Sequence, residues 1–388
     1  MTKPHVPLIL IVLMSGPGVL SAQNGTSIPK QRVDLPTGIS MAYVEVGDPA
    51  GEPAIFLHGF TDTSRSFWPT IRHLADLRPD LRIFALDQRG HGDSSMPDPE
   101  ACRAAPERCF RPADFAADVL AFMDAKGIDR AHVVGHSLGS LIAQELALDT
   151  PERVRRIVLI ASAARTAGHP VVTDFFLADL IEGPWKGALA DKGIPFPSGA
   201  YELTALDADP DAEAWMAENW VVEVTADPSY LASILEETLR IRIGTWLGVA
   251  RALTEFDNRE RLKTLAVPAL VIWPTQDAVL QASEQAELRA SLDAAAQACL
   301  TRYHYKEYGR KPLPATGIQE DDLGHNVQWG APEAVARDLA AYLHEDGEPT
   351  PDLPYADPED VRHVITAPGE ARIHIGTGEG CPLRPDAL

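Results

Sequence analysis

Val133-Val134-Gly135-His136-Ser137-Leu138-Gly139 is the stretch on which the reading of this chain turns. The residues leading into it, Ala131 to Val134, are apolar and partly β-branched, which suits a buried strand. Those leaving it include Leu138, Leu141, Ile142 and Leu146, spaced as on one face of a helix. A serine between such a strand and such a helix sits on a tight corner with a strained backbone. The chain folds so closely there that only small residues fit two positions before and two after, and these are Gly135 and Gly139. The corner holds the Ser137 hydroxyl clear, and the Leu138 amide opens the helix beside it, ready to bind an oxyanion. Gly-x-Ser-x-Gly alone occurs in ordinary loops; the strand and helix around it make Ser137 a candidate nucleophile.

Upstream, Ala54-Ile55-Phe56-Leu57 is a short apolar strand that runs into His58-Gly59-Phe60. Arg82-Ile83-Phe84-Ala85-Leu86 is another, followed by Asp87-Gln88-Arg89-Gly90-His91-Gly92-Asp93-Ser94. With the serine corner, these motifs resemble the α/β-hydrolase superfamily, in particular its serine-nucleophile, capped esterase- or lactonase-like members. The resemblance covers about residues 31 to 163 and continues over 263 to 345. It implies a mostly parallel sheet flanked by helices, with an inserted, mainly helical cap. It also implies a second oxyanion donor, the N–H of Phe60, and the chain order nucleophile, acid, histidine.

That order points to Asp277 and His325. Val267 to Trp273 reads as a strand entered through Pro268, and Asp277 follows Trp273 by four residues. Relatives usually carry a glycine directly after this strand; Pro274 stands there instead. An ordinary turn or helix-capping aspartate would look the same as Asp277. The other acid position used by relatives follows the strand Arg156 to Ile160, where Ala161-Ser162-Ala163-Ala164 offers no carboxylate. Asp257 is a weaker substitute. His325 lies in Asp321-Asp322-Leu323-Gly324-His325-Asn326, ahead of a helix opened by Ala331-Pro332 and running to about His344. From such a loop it can reach Ser137 while Asp277 fixes its tautomer through Nδ1. His58, His91 and His136 read as structural. No cofactor is implied, and nothing resembles a metal cluster.

The expected division is a leader over 1–22, a core first half over 31–164, a helical cap over 165–263, a core second half over 264–345, and a tail over 346–388. In the leader, Lys3 and His5 precede the apolar run Pro7 to Met14, and Val19-Leu20-Ser21-Ala22 supplies a small-residue cleavage site. That run is too short to span a bilayer, so a secreted or periplasmic chain without stable membrane insertion is expected. An excess of 56 acidic over 34 basic residues argues against nucleic acid or an anionic membrane as partner. Four cysteines in an exported chain favour two bridges. Proximity suggests Cys102–Cys109 and Cys299–Cys381, out of three pairings. Oligomeric state is not legible.

Within the cap, Asp227-Pro228 opens one expected helix, and Trp246, Val249 and Leu253 mark another. Its aromatics read chiefly as lid packing, with a subset facing Ser137 as an apolar pocket. Trp68 and Trp273 are candidate substrate-binding residues on the core side, and Tyr303, Tyr305 and Tyr308 candidates for the rim. In the tail, Arg362 to Thr366 and Arg372 to Ile375 read as a hairpin that could cover a sheet edge, join a partner subunit or serve as decoration. The favoured function is hydrolysis of a small carboxylic ester or lactone, apolar or aromatic, through an acyl-enzyme on Ser137. The alternatives are carbon–carbon bond hydrolysis, aminopeptidase-type or perhydrolase chemistry on the same triad, and a non-catalytic binding protein. A serine in place of aspartate sets the chain apart from relatives that open epoxides through an ester intermediate.

Overall fold

The computed structural model describes residues 29–220, 223, 226–308, 324–344, 347 and 373–376. The expected leader, Cys381 and the hairpin's first arm (362–366) lie outside these residues. The described strands are β1 (Gln31–Asp34), β2 (Ser40–Gly47), β3 (Glu52–Leu57), β4 (Leu81–Leu86), β5 (Ala131–His136), β6 (Val154–Ile160), β7 (Ala269–Pro274), β8 (Tyr303–Tyr308) and β9 (Ile373–Gly376). They form one sheet in the order β1-β2-β4-β3-β5-β6-β7-β8-β9. The run from β4 to β8 is parallel; β1, β2 and β9 are antiparallel additions at the two edges.

The central strands are apolar at consecutive positions because both sheet faces are covered. Val133, Ile157, Leu159 and Val271 enter one core, and Val134, Val158, Ile160 and Ile272 the other, as a two-residue period requires. The helices Trp68–Leu77 and Pro332–Tyr342 supply Ile71, Leu74, Val335 and Leu339 to the second core. The helices Pro112–Ala125 and Leu138–Asp149 cover the first. That first core runs on without a break into the segment between β6 and β7, through Phe176, Trp185, Trp246 and Leu253.

Helices fill this inserted segment, the longest being Val171–Trp185 (of wide, π-type turns), Pro228–Leu239 and Ile243–Leu253. The helix Pro228–Leu239 starts where the sequence says it should. Asp227 Oδ1 accepts from the N–H groups of Ser229 and Tyr230, and Pro228 needs no acceptor at the first position. Such a cap is worth about 1 kcal/mol.

One reading changes here, and one left open is narrowed. Tyr303, Tyr305 and Tyr308 are fully buried in β8 and belong to the cores, not to the rim. Tyr303 and Tyr305 enter the first core and Tyr308 the second, as the two-residue period of a strand places them, and Lys306 is satisfied in the interior by Asp338 at 2.6 Å. The tail contributes β9, which pairs antiparallel with β8, so of the roles considered for it the covering of a sheet edge is the one observed. A disulfide joins Cys102 to Cys109. Cys299 is disulfide-bonded as well.

Candidate active site

Ser137 stands between β5 and the helix Leu138–Asp149 with φ 50° and ψ −118°, a conformation that costs a non-glycine residue about 1–3 kcal/mol. Its surroundings enforce it. The Ser137 N–H donates to the Ile160 carbonyl (3.0 Å), and its carbonyl accepts from the Ser140 N–H (2.9 Å) and hydroxyl (2.6 Å). A Cβ on Gly135 would lie 2.2 Å from the Gly139 carbonyl oxygen, and one on Gly139 2.0 Å from that of Leu57. The two small residues are therefore demanded by backbone passing backbone.

The loop after β3 is held just as firmly. The Gln88 N–H donates to His58 Nε2 (3.1 Å), so the neutral ring carries its proton on Nδ1 and donates to the Gly59 carbonyl (2.8 Å). Burial, with His91 nearby, keeps His58 well below the ordinary imidazole range, consistent with that neutral tautomer. The Asp62 N–H also meets the Gly59 carbonyl (3.3 Å). In a trans peptide the Phe60 N–H must then point the opposite way. His91 Nε2 hydrogen-bonds the Phe60 carbonyl at 2.7 Å. Among the described residues neither the Phe60 nor the Leu138 N–H has an acceptor. His58 and His91 are structural, as expected, and what they fix is this loop.

Asp277 is buried in the turn that follows β7. Its Oδ1 accepts from the N–H groups of Val279 (2.8 Å) and Leu280 (2.9 Å), which shapes the turn that Pro274 enters. Both carboxylate oxygens also meet His325 Nδ1, at 2.9 and 2.8 Å. Asp277 is thus a turn aspartate and the partner of His325 at once. Asp257, the substitute, is exposed and paired with Arg259. His325 Nδ1 donates to the carboxylate, which leaves Nε2 as a lone pair in the neutral ring. Burial opposes charging this ring, but Asp277, Asp62 and Glu223 outweigh it and raise the imidazole above its ordinary range. Among the described residues no hydrogen bond joins Ser137 Oγ to His325; such contacts commonly tighten only when substrate binds.

One cavity is lined by Ser137, His325, Phe60 and Leu138 together. Its walls are largely apolar: Val172, Phe176 and Trp220 from the inserted helical segment, Leu141 from the core, and Leu280 and Trp329 from the far side. Phe176 packs edge-on against both Phe60 and Trp220. Trp68 and Trp273 do not line it. Trp68 packs against the core on the other sheet face, and the Trp273 indole N–H donates to the Leu280 carbonyl in the interior. Trp273, at the end of β7, is drawn into the interior, and the aromatics that face the cavity are Phe60, Phe176, Trp220 and Trp329.

Sequence reasoning missed Asp62. It lines the cavity fully buried, accepts from Ser66 Oγ (2.9 Å), and lies 3.7 Å from His136 Nδ1. Burial raises its carboxyl to about 6. Its only sequence signal was a position two residues after Phe60. The stretch 61–66 is also tied to the insert. Thr238 Oγ1 donates to the Thr61 carbonyl (2.9 Å), Trp220 Nε1 to Thr61 Oγ1 (2.8 Å), and Arg65 pairs with Glu237 (2.7 Å).

Comparisons with known proteins bear on the fold that carries this site. A profile of the family described as alpha/beta hydrolase fold matches residues 53–332. A putative carbamate hydrolase, RutD, of Variovorax paradoxus (strain S110) is 32% identical over 242 residues, covering 61% of this chain and 79% of the relative. An epoxide hydrolase of Caballeronia sordidicola is 25% identical over 331 residues, covering 79% and 91%. Among solved structures, the enol-lactonase of Burkholderia xenovorans LB400 superposes with a TM-score of 0.56 at 21% identity. The match covers 80% of this chain and 98% of that one.

Proposed function

This chain belongs to the α/β hydrolase fold family and is a hydrolase, and from that premise we propose that it is an exported serine hydrolase that cleaves a carboxylic ester or lactone. Ser137 is the nucleophile, His325 the base and Asp277 its orienting acid. His325 Nε2 takes the proton from Ser137 as Oγ attacks the carbonyl carbon. The amides of Phe60 and Leu138 meet the oxyanion, and each such donor typically lowers the barrier by about 3 kcal/mol. Collapse expels the alkoxide, which takes the proton from His325 and leaves an acyl-serine. Water then attacks that ester with His325 again as base, freeing the acid.

The observation that carries this reading is the pairing of both Asp277 oxygens with His325 Nδ1 in the same cavity as the strained Ser137. The relatives' names leave carbamate and epoxide chemistry in view. Epoxide opening through an ester intermediate uses an aspartate nucleophile in related enzymes, and residue 137 is serine. A carbamate carbonyl suits the same machinery, but walls of Val172, Phe176, Trp220 and Leu280 favour a substrate with an apolar or aromatic acyl group over a small polar one. Export is supported by the composition of residues 1–22 and by the Cys102–Cys109 bridge.

A fluorophosphonate should label one residue, Ser137, read by mass spectrometry. A panel of aryl esters, lactones and carbamates should be turned over by the parent and not by Ser137→Ala. An adduct at another residue, or undiminished turnover by the variant, refutes the assignment.

A further inference from the structure

His325 is gripped from three directions. Asp277 holds the ring. His136 Nε2 donates to the His325 carbonyl at 3.0 Å, tying the backbone to β5. The third grip comes from the inserted helical segment. Glu223, only 2% exposed, accepts through Oε1 from the Gly324 N–H (3.2 Å) and through Oε2 from the Asn326 N–H (3.2 Å). One carboxylate thus spans the amides on both sides of the base. Those two amides lie on a loop, where no helix or strand ladder would otherwise fix them, and a buried N–H without an acceptor is costly.

We propose that Glu223 is a positioning residue for His325, so that the alignment of the base depends on the inserted segment being seated over the core. The inference rests on the reading of His325 as the base. Glu223 touches no reacting atom; it acts by fixing the peptide from which the imidazole projects. It also adds negative charge beside a ring that already faces Asp277 from the β7 turn, Asp62 from the β3 loop and the neutral His136 from β5.

Two variants separate its roles. Glu223→Ala removes acceptor and charge; Glu223→Gln keeps an acceptor oxygen and removes the charge. With an aryl ester, Glu223→Ala should lose about 10²-fold in kcat with little change in KM, as a base displaced by about 1 Å would. Glu223→Gln should recover only part of that loss, since its single carbonyl oxygen can serve only one of the two amides. In the Ser137→Ala background, the His325 ring followed by NMR should titrate at lower pH in both Glu223 variants than in the parent. If Glu223→Ala fails to fold, Glu223→Gln and its ring titration decide. An unmoved titration together with parental kcat in Glu223→Gln and Glu223→Ala overturns the proposal. Retained turnover by Ser137→Ala would instead sink the serine-hydrolase reading, while the ring titration still decides whether Glu223 acts on His325.

Discussion

Replacing Gly139 by alanine tests the corner at its tightest point. In an open helix the change helps, because alanine loses less backbone freedom on folding than glycine, by about 0.5–1 kcal/mol. At 139 the added Cβ would stand 2.0 Å from the Leu57 carbonyl oxygen and 2.7 Å from that of His58. An ordinary carbon–oxygen contact is about 3.3 Å, so helix and strand must part by more than about 1 Å. Both partners are backbone, so no rotamer change relieves the clash. Overpacking of this kind costs about 1–3 kcal/mol, and the rigid contact argues for the upper end. The displaced strand end runs directly into His58-Gly59-Phe60, so the Phe60 amide moves with it. A displacement of that order costs about 10²-fold in rate. Gly187 is the internal control. It lies in the helix Lys186–Asp191, a Cβ there would meet nothing within 4 Å, and Gly187→Ala should stabilise. Urea unfolding and kcat/KM on an aryl ester, run on both variants, give opposite signs if the reasoning holds. A Gly139→Ala protein with parental stability and parental kcat/KM would refute it.

Three further outcomes are expected. His325 must be neutral to act as base, and Asp277, Asp62 and Glu223 raise it above 6.5 against the effect of burial. Activity should therefore fall as pH drops through a value above 6.5, and Asp277→Asn should lose about 10⁴-fold in kcat, read from a pH–rate profile. Asp62 sits in the folded protein at about 6 against 3.8 when unfolded, so its burial destabilises the fold once the pH exceeds both values. Asp62→Asn should then be more stable than the parent at about pH 8 by up to about 3 kcal/mol, with the difference gone below about pH 4; equal stability across that range would contradict it. Asp338→Ala removes the carboxylate that meets Lys306 inside the core and should cost about 3 kcal/mol or more by chemical unfolding, whereas exposed pairs such as Arg240–Glu236 should cost under about 1 kcal/mol.

The parts legible in the sequence are those whose cause is local. The Ser137 corner needs two glycines within two residues. The helix at Pro228 needs a capping aspartate beside it, and the Phe60 amide is a candidate only because the family resemblance points to the residue after His58-Gly59. Asp277 was findable because a strand and a fixed spacing point to it. Asp62 and Glu223 were not, since their roles come from distant partners, at His136 and Gly324. Residue type alone points Trp68, Trp273 and the three tyrosines of β8 to the site, but large aromatic area is buried wherever a core will take it. Which aromatics face the cavity depends on how the insert packs on the core, and periodicity carries no information about that.

The tail matters for what the molecule does not do. Without Ile373–Gly376, β8 would end the sheet with a full row of unanswered amides and carbonyls, the surface on which one chain recruits another into a continuous ribbon. Antiparallel pairing covers four of the six residues of β8, Tyr303 to Lys306, and among the described residues leaves only a four-residue strand at this edge. Because the plug is part of the same polypeptide, its local concentration never falls on dilution, and this stretch of β8 is covered without a second chain.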